Sequence, residues 1–222
     1  MPEPRGQDGA VGILGGTFDP AHNAHLALAR AARDRLGLAE VVWIPAGQPP
    51  HRTAPLAAPA DRLAMVRAAI AGERGFSLDA SEVNSIAPSY TVHTLLRLRE
   101  TFGPDRPLVL LMGADAFLGL PGWHRWREIL DLAHVAVATR PGFPLDAVDP
   151  PLGDLLAARR ATGTDFSARP AGAIVLFELV AGTVSATEAR ALIAAGASRA
   201  RLLELLPAPV LDYIHQHSLY SS

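Results

Sequence analysis

Val11-Gly12-Ile13-Leu14-Gly15-Gly16-Thr17-Phe18-Asp19-Pro20-Ala21-His22-Asn23-Ala24-His25 decides how the rest of this 222-residue chain is read. The apolar run Val11 to Leu14 predicts a buried strand, and Leu26 to Leu36, stopped by Gly37, predicts a helix. Gly15 and Gly16 mark the turn between them. Glycine lets a backbone approach a phosphate closely, and a helix start offers unpaired N–H groups and the positive end of its dipole. His22 and His25 fall on one side of that start and can each donate a ring N–H to an anion. The stretch therefore reads as a grip for a nucleotide triphosphate. Its H-x-x-H spacing also supplies two metal ligands, but no Cys or carboxylate constellation of zinc type accompanies it.

From this stretch onward, strand-like runs alternate with helix-like segments. Strands are expected at Val41 to Ile44, Phe76 to Leu78, Leu108 to Met112, His134 to Thr139 and Ile174 to Leu179. Helices are expected at Asp61 to Ala71, Tyr90 to Phe102, Arg125 to Leu132 and from Ser185 onward. Pro141 to Gly172 lacks periodicity and reads as a loop with one helix near Gly153 to Arg160. The alternation predicts an α/β fold, a Rossmann-like doubly wound, mainly parallel sheet with helices on both faces and ligands at the carboxyl ends of the strands. Residues 1–9 are expected to be a flexible tail, and residues 10–222 a single domain with a C-terminal helical portion.

Composition narrows the chemistry. Apolar residues make up 49% and no run is long enough to span a membrane, so a membrane partner is not expected. The absence of cysteine excludes disulfides and thiol chemistry and fits a cytoplasmic protein. A net charge of −2, with no basic cluster, points to free nucleotides rather than nucleic acid. All 20 cationic Lys and Arg positions are Arg. That excludes a P-loop lysine, a kinase-type lysine, a Schiff base and a PLP attachment site.

A second anion site is expected at Val184-Ser185-Ala186-Thr187-Glu188-Ala189-Arg190. Ser185 with Glu188 forms a capping box that starts a helix ending near Gly196. The Ser185 and Thr187 hydroxyls, the first N–H groups and the Arg190 guanidinium then converge on one anion. Further candidates lie between the two motifs. His51 and Arg52, in a Pro-rich loop, suit a mononucleotide phosphate, as does Arg140 at a strand end. Ser89 is a credible N-cap for the Tyr90-Thr91 helix start, whose N–H groups suit a carboxylate, and Trp123 can stack on a planar ring.

The Gly15-to-His25 stretch resembles the (T/H)xGH signature of the nucleotidylyltransferase superfamily, in the GGTFDPxHxGH form of nicotinate-nucleotide adenylyltransferases. The Ser185-to-Arg190 stretch is similar to its (I/V)SSTxxR signature. Ala24 stands where the family usually has Gly, which ordinary helical backbone tolerates. The resemblance spans Gly12 to Tyr220. It implies AMP transfer from ATP to nicotinate mononucleotide, giving deamido-NAD and pyrophosphate in NAD biosynthesis, with Mg²⁺ bridging the ATP phosphates. His22, His25 and Arg190 would be catalytic. Gly15, Gly16, Thr17, Phe18, Ser185, Thr187 and Arg190 would hold ATP. His51, Arg52, Ser89, Tyr90, Thr91, Asp115, Trp123 and Arg140 would hold nicotinate mononucleotide, Asp115 on the resemblance alone. A monomer or homodimer is expected. The absence of lysine also excludes the lysine loop that class I aminoacyl-tRNA synthetases pair with a similar histidine motif. The rival readings are transfer to nicotinamide mononucleotide or phosphopantetheine, and a nucleotide-binding regulator without catalysis.

Overall fold

The computed structural model describes residues 9–49, 54–139, 148, 150–179 and 184–221. Among the described residues seven strands form one sheet: β1 (Val11–Gly16), β2 (Glu40–Pro45), β3 (Phe76–Leu78), β4 (Leu108–Gly113), β5 (His134–Thr139), β6 (Arg160–Ala161) and β7 (Ile174–Glu178). Their order is β3-β2-β1-β4-β5-β7-β6, and the pairings β1·β4, β4·β5, β5·β7 and β6·β7 are parallel. This is the expected Rossmann-like α/β arrangement. Strands β2, β4 and β5 are buried along nearly their whole length, as parallel strands covered on both faces must be. That is why they read as unbroken apolar runs.

The described residues pack as two compact units. The first is drawn from Met1–Leu14, Leu28–Val42 and Tyr90–Val180. It holds the greater part of the sheet together with α3 (Thr91–Phe102), α4 (Ala114–Leu118), α5 (Ile129–Leu132) and α6 (Leu152–Arg159). Helix α3 buries Val92, Leu95 and Leu98, one stripe at helical spacing. From its last turn Arg99 donates to the carbonyls of Leu132, Gly103, Arg106 and Pro170, closing the loops below β4 and β7. His134 is fully buried at the start of β5, where Nδ1 accepts from the Ala173 N–H (3.0 Å) and Nε2 lies 2.8 Å from the Arg169 carbonyl. This pairing fixes the Nε2–H tautomer and gives His134 a structural task.

The second unit is drawn from Gly15–Ala27, Trp43–Ser89 and Ala181–Ser222. It contains the start of α1 (Asn23–Leu36), α2 (Pro59–Ala69), α7 (Ala186–Ala194), α8 (Arg199–Leu205) and α9 (Ala208–Gln216). Helix α9 packs on α2, and the Tyr213 hydroxyl donates to Asp61 at 2.9 Å.

Three expectations need correction. Helix α1 begins at Asn23, ahead of the apolar periodicity, because the His22 carbonyl already accepts from the His25 N–H at 3.0 Å. The segment Arg125 to Leu132 is a 3-10 turn over Trp126–Glu128 followed by the short α5, with Arg125 left-handed at φ 51°. Strand β6 was expected to be helix end and loop; two residues paired to β7 carry no periodicity to read.

Candidate active site

The two glycines at the end of β1 have different surroundings. A methyl on Gly15, which is exposed, would meet no atom of the described residues within 4 Å beyond its chain neighbours. On Gly16 it would come within 3.1 Å of the Phe18 ring. Phe18 itself takes a left-handed backbone (φ 52°) and turns its ring into the core, 5.5 Å from Trp43 and edge-on to His25 at 4.9 Å. At 2% exposure it has only its main chain to offer a nucleotide.

His22 precedes α1 and His25 lies in its first turn, so the helix pitch stacks their rings 3.6 Å apart, 20° from parallel. The His25 Nδ1 accepts the backbone N–H of His22 at 3.2 Å, which places the ring proton of neutral His25 on Nε2. His22 is 7% exposed, and burial pushes its pKa down to about 4. The His22 Nδ1 is buried without a hydrogen-bond partner among the described residues. Between the two histidines, the Asn23 side chain donates to the Leu203 and Glu204 carbonyls and so caps the end of α8. Ala24 lies inside α1 as ordinary helix.

Asp19 joins this motif to the second one. Its backbone carbonyl accepts Arg190 Nη1 at 2.6 Å, and Arg190 Nη2 lies 3.3 Å from the Thr187 hydroxyl oxygen. Thr187 is exposed and Arg190 half-buried on α7. The Ser185 hydroxyl accepts the Glu188 N–H at 3.1 Å, the N-cap expected from the sequence. Glu188 pairs with Arg201 at 3.4 Å. The Asp19 carboxylate accepts from the Leu56 N–H (2.9 Å), the Ala57 N–H (3.1 Å) and the Tyr220 hydroxyl (2.7 Å). All of these residues belong to the second unit.

Arg62, unmarked in the sequence reading, is fully buried and donates to four carbonyls: Ala57 (3.3 Å), Thr17 (2.8 Å), Ala46 and Gly47 (3.0 Å). It ties the glycine turn to the loop after β2. One signal was available: Arg62, Met65, Val66 and Ala69 share the buried stripe of α2, so an arginine occupies a core slot. Burial lowers the guanidinium pKa and Asp19 opposes that shift.

Ser89 is not the cap of α3. Tyr90 is the N-cap residue and its side chain makes no capping hydrogen bond, while the Ser89 hydroxyl is taken by the N–H groups of Gly47 (3.0 Å) and Gln48 (3.3 Å). Gly47 tolerates no side chain, since a Cβ there would lie 2.0 Å from the Glu82 carbonyl oxygen. Within the first unit Tyr90 meets His124 (4.4 Å) and His93 (5.6 Å), and Thr91 opens α3. Asp115 is exposed in the first turn of α4. Trp123 is half-buried, whereas Trp126 is buried with Arg127 over its ring at 4.6 Å. His51, Arg52 and Arg140 lie outside the described residues.

A sequence profile described as cytidylyltransferase-like matches residues 13–192. A protein of Dechloromonas aromatica, named "probable nicotinate-nucleotide adenylyltransferase", is 54% identical over 95% of this chain and 97% of its own. One of the same name from Laribacter hongkongensis is 49% identical over 96% and 95%. Among solved structures, Plasmodium falciparum nicotinic acid mononucleotide adenylyltransferase complexed with APC matches with a TM-score of 0.71 at 16% identity, covering 96% of this chain and 97% of that one. That likeness supports the fold. By the profile and by these relatives, the chain belongs to the cytidylyltransferase-like family and, within it, to the nicotinate-nucleotide adenylyltransferases.

Proposed function

We propose that this chain transfers AMP from ATP to nicotinate mononucleotide, releasing pyrophosphate and forming deamido-NAD, a step of NAD biosynthesis. The observation that carries the residue assignments is the Arg190–Asp19 hydrogen bond, which links the histidine motif directly to the Ser185 helix. An oxygen of the substrate 5′-phosphate attacks the α-phosphorus, the bond to the β-phosphate oxygen breaks, and pyrophosphate leaves with that electron pair. The nucleophile is already anionic, so the rate rests on alignment and on stabilising charge.

His22, neutral because it is buried, donates a ring N–H without needing a proton from solvent. His25 donates from Nε2, while Thr187, Arg190 and the first N–H groups of α7 receive the departing phosphates. Gly15 leaves room for the triphosphate over the strand end.

Among the described residues no group of three or more His, Cys, Asp or Glu could cage a metal ion, and hydrogen bonds load both Asp19 oxygens. Mg²⁺ bound to the ATP phosphates would offset their charge. No helix of the described residues is long and apolar enough to cross a membrane. We place the reaction in the cytoplasm, with a monomer or homodimer as the working unit.

At the acceptor end, the uncapped start of α3 leaves backbone donors for the nicotinate carboxylate, beside Tyr90 and Thr91. Trp123 would stack on the pyridine ring. Asp115, Ser89, His51, Arg52 and Arg140 complete the proposed mononucleotide contacts. The test is pyrophosphate release from Mg-ATP with nicotinate mononucleotide, nicotinamide mononucleotide or phosphopantetheine in turn. Release with the first acceptor well above the others is expected; release with none of them would point to a nucleotide-binding regulator.

A further inference from the structure

Beyond α9, Ser218 (φ 50°) and Tyr220 (φ 62°) both take left-handed backbone conformations that non-glycine residues seldom adopt. Such conformations persist where surrounding contacts over-determine them. Here the contact is specific: the Tyr220 hydroxyl donates to Asp19 Oδ1 at 2.7 Å, and the phenol oxygen lies 3.9 Å from Met65 Sδ. Oδ1 also accepts from Ala57, and Oδ2 from Leu56. The Arg190 Nη1 is left 3.8 Å from Oδ2, well beyond the 2.7–2.9 Å of a tight guanidinium–carboxylate pair.

We propose that Tyr220 is a positioning residue for AMP transfer: by occupying Asp19 Oδ1 it keeps the carboxylate from closing on Arg190, whose guanidinium then remains turned to the triphosphate. This role rests on the adenylyltransferase reading and adds a residue to it. Among the described residues, Arg190 and Arg62 are cations placed beside Asp19, and Arg62 is already committed to four carbonyls. If the phenol donor is lost, the carboxylate is free to turn, and Arg190, 3.8 Å from Oδ2, is the described cation left to close on it. Burial and Asp19 hold the Tyr220 hydroxyl well above its ordinary pKa, so it stays a donor throughout the working pH range.

Tyr220→Phe keeps the ring and removes only the O–H. With nicotinate mononucleotide saturating, kcat/KM for ATP should fall about tenfold, the loss of one hydrogen bond to a charged group, with KM for the mononucleotide unchanged. In an Arg190→Ala background the same substitution should cost nothing further, because the effect passes through Arg190. Equal losses in both backgrounds, or a kcat/KM for ATP within twofold of wild type, would overturn the proposal. So would a lower kcat with an unchanged KM for ATP and fewer folded molecules, the mark of a merely structural role. A wild-type chain that releases no pyrophosphate overturns the parent reading instead. Tyr220 is then judged by ATP titration calorimetry, where affinities of Tyr220→Phe and wild type within twofold would dismiss it.

Discussion

Replacing Arg62 with leucine should destabilise the protein more than most single substitutions. The side chain is fully buried and serves the carbonyls of Thr17, Ala46, Gly47 and Ala57, so a residue of similar volume without donors orphans four acceptors. An unsatisfied buried polar group costs ~1–3 kcal/mol, and relieving the desolvated guanidinium returns part of the total. If water reaches two of the four carbonyls, the remainder amounts to about 4 kcal/mol. For a chain of this size each kcal/mol moves Tm by ~2–4 °C, which gives a fall of about 8–16 °C. Lysine should recover less than half of it, because one ammonium cannot span acceptors that the planar guanidinium reaches from three nitrogens. Thermal unfolding by circular dichroism at pH 7.5 measures the effect. A leucine variant melting within 3 °C of wild type would refute the claim that Arg62 holds the glycine turn to the loop after β2.

His22 gives a pH signature. Its pKa falls from 6.5 in the unfolded chain to about 4 when folded, so the unfolded state binds the proton more tightly. Stability is therefore fully present above the unfolded value and declines as pH drops from about 6.5 to about 4, by about 3 kcal/mol at most. Urea midpoints for wild type and His22→Gln should converge over that window, and parallel curves would remove His22 as the cause. His22→Ala should lower kcat more than it raises KM for nicotinate mononucleotide; an unchanged kcat would take the ring out of the chemistry. Exchanging the acid for the amide of the mononucleotide should cost 1–3 kcal/mol in kcat/KM, and equal values would defeat the assignment of the α3 start. Ser185→Ala deletes the cap of α7 and should cost about 1 kcal/mol, read as a Tm fall of ~2–4 °C.

The sheet was legible because parallel strands covered on both faces must be apolar throughout, and Leu108 to Met112 or His134 to Thr139 hardly admit another reading. Helix α7 was legible through its cap. What escaped were polar groups whose partners lie far along the chain. An arginine in a helix reads as solvated, yet Arg62 and Arg99 each gather carbonyls from several loops. Ser89 reads as a cap because nothing local reveals that Gly47 and Gln48 will claim its hydroxyl. Tyr220 gave no signal, since its partner Asp19 is distant in sequence and drawn close only by the fold.

The adjacent glycines at the end of β1 would part company under different histories. Gly16 is hemmed in by the Phe18 ring, so its identity follows from how the turn packs, whatever the protein binds. Gly15 faces open space, and among the described residues no atom forbids a side chain there. A descendant that kept this architecture but abandoned its nucleotide would still need the second glycine and would be at liberty to lose the first. Of the two, Gly16 is a mark of the scaffold, and Gly15 is a mark of the work done on it.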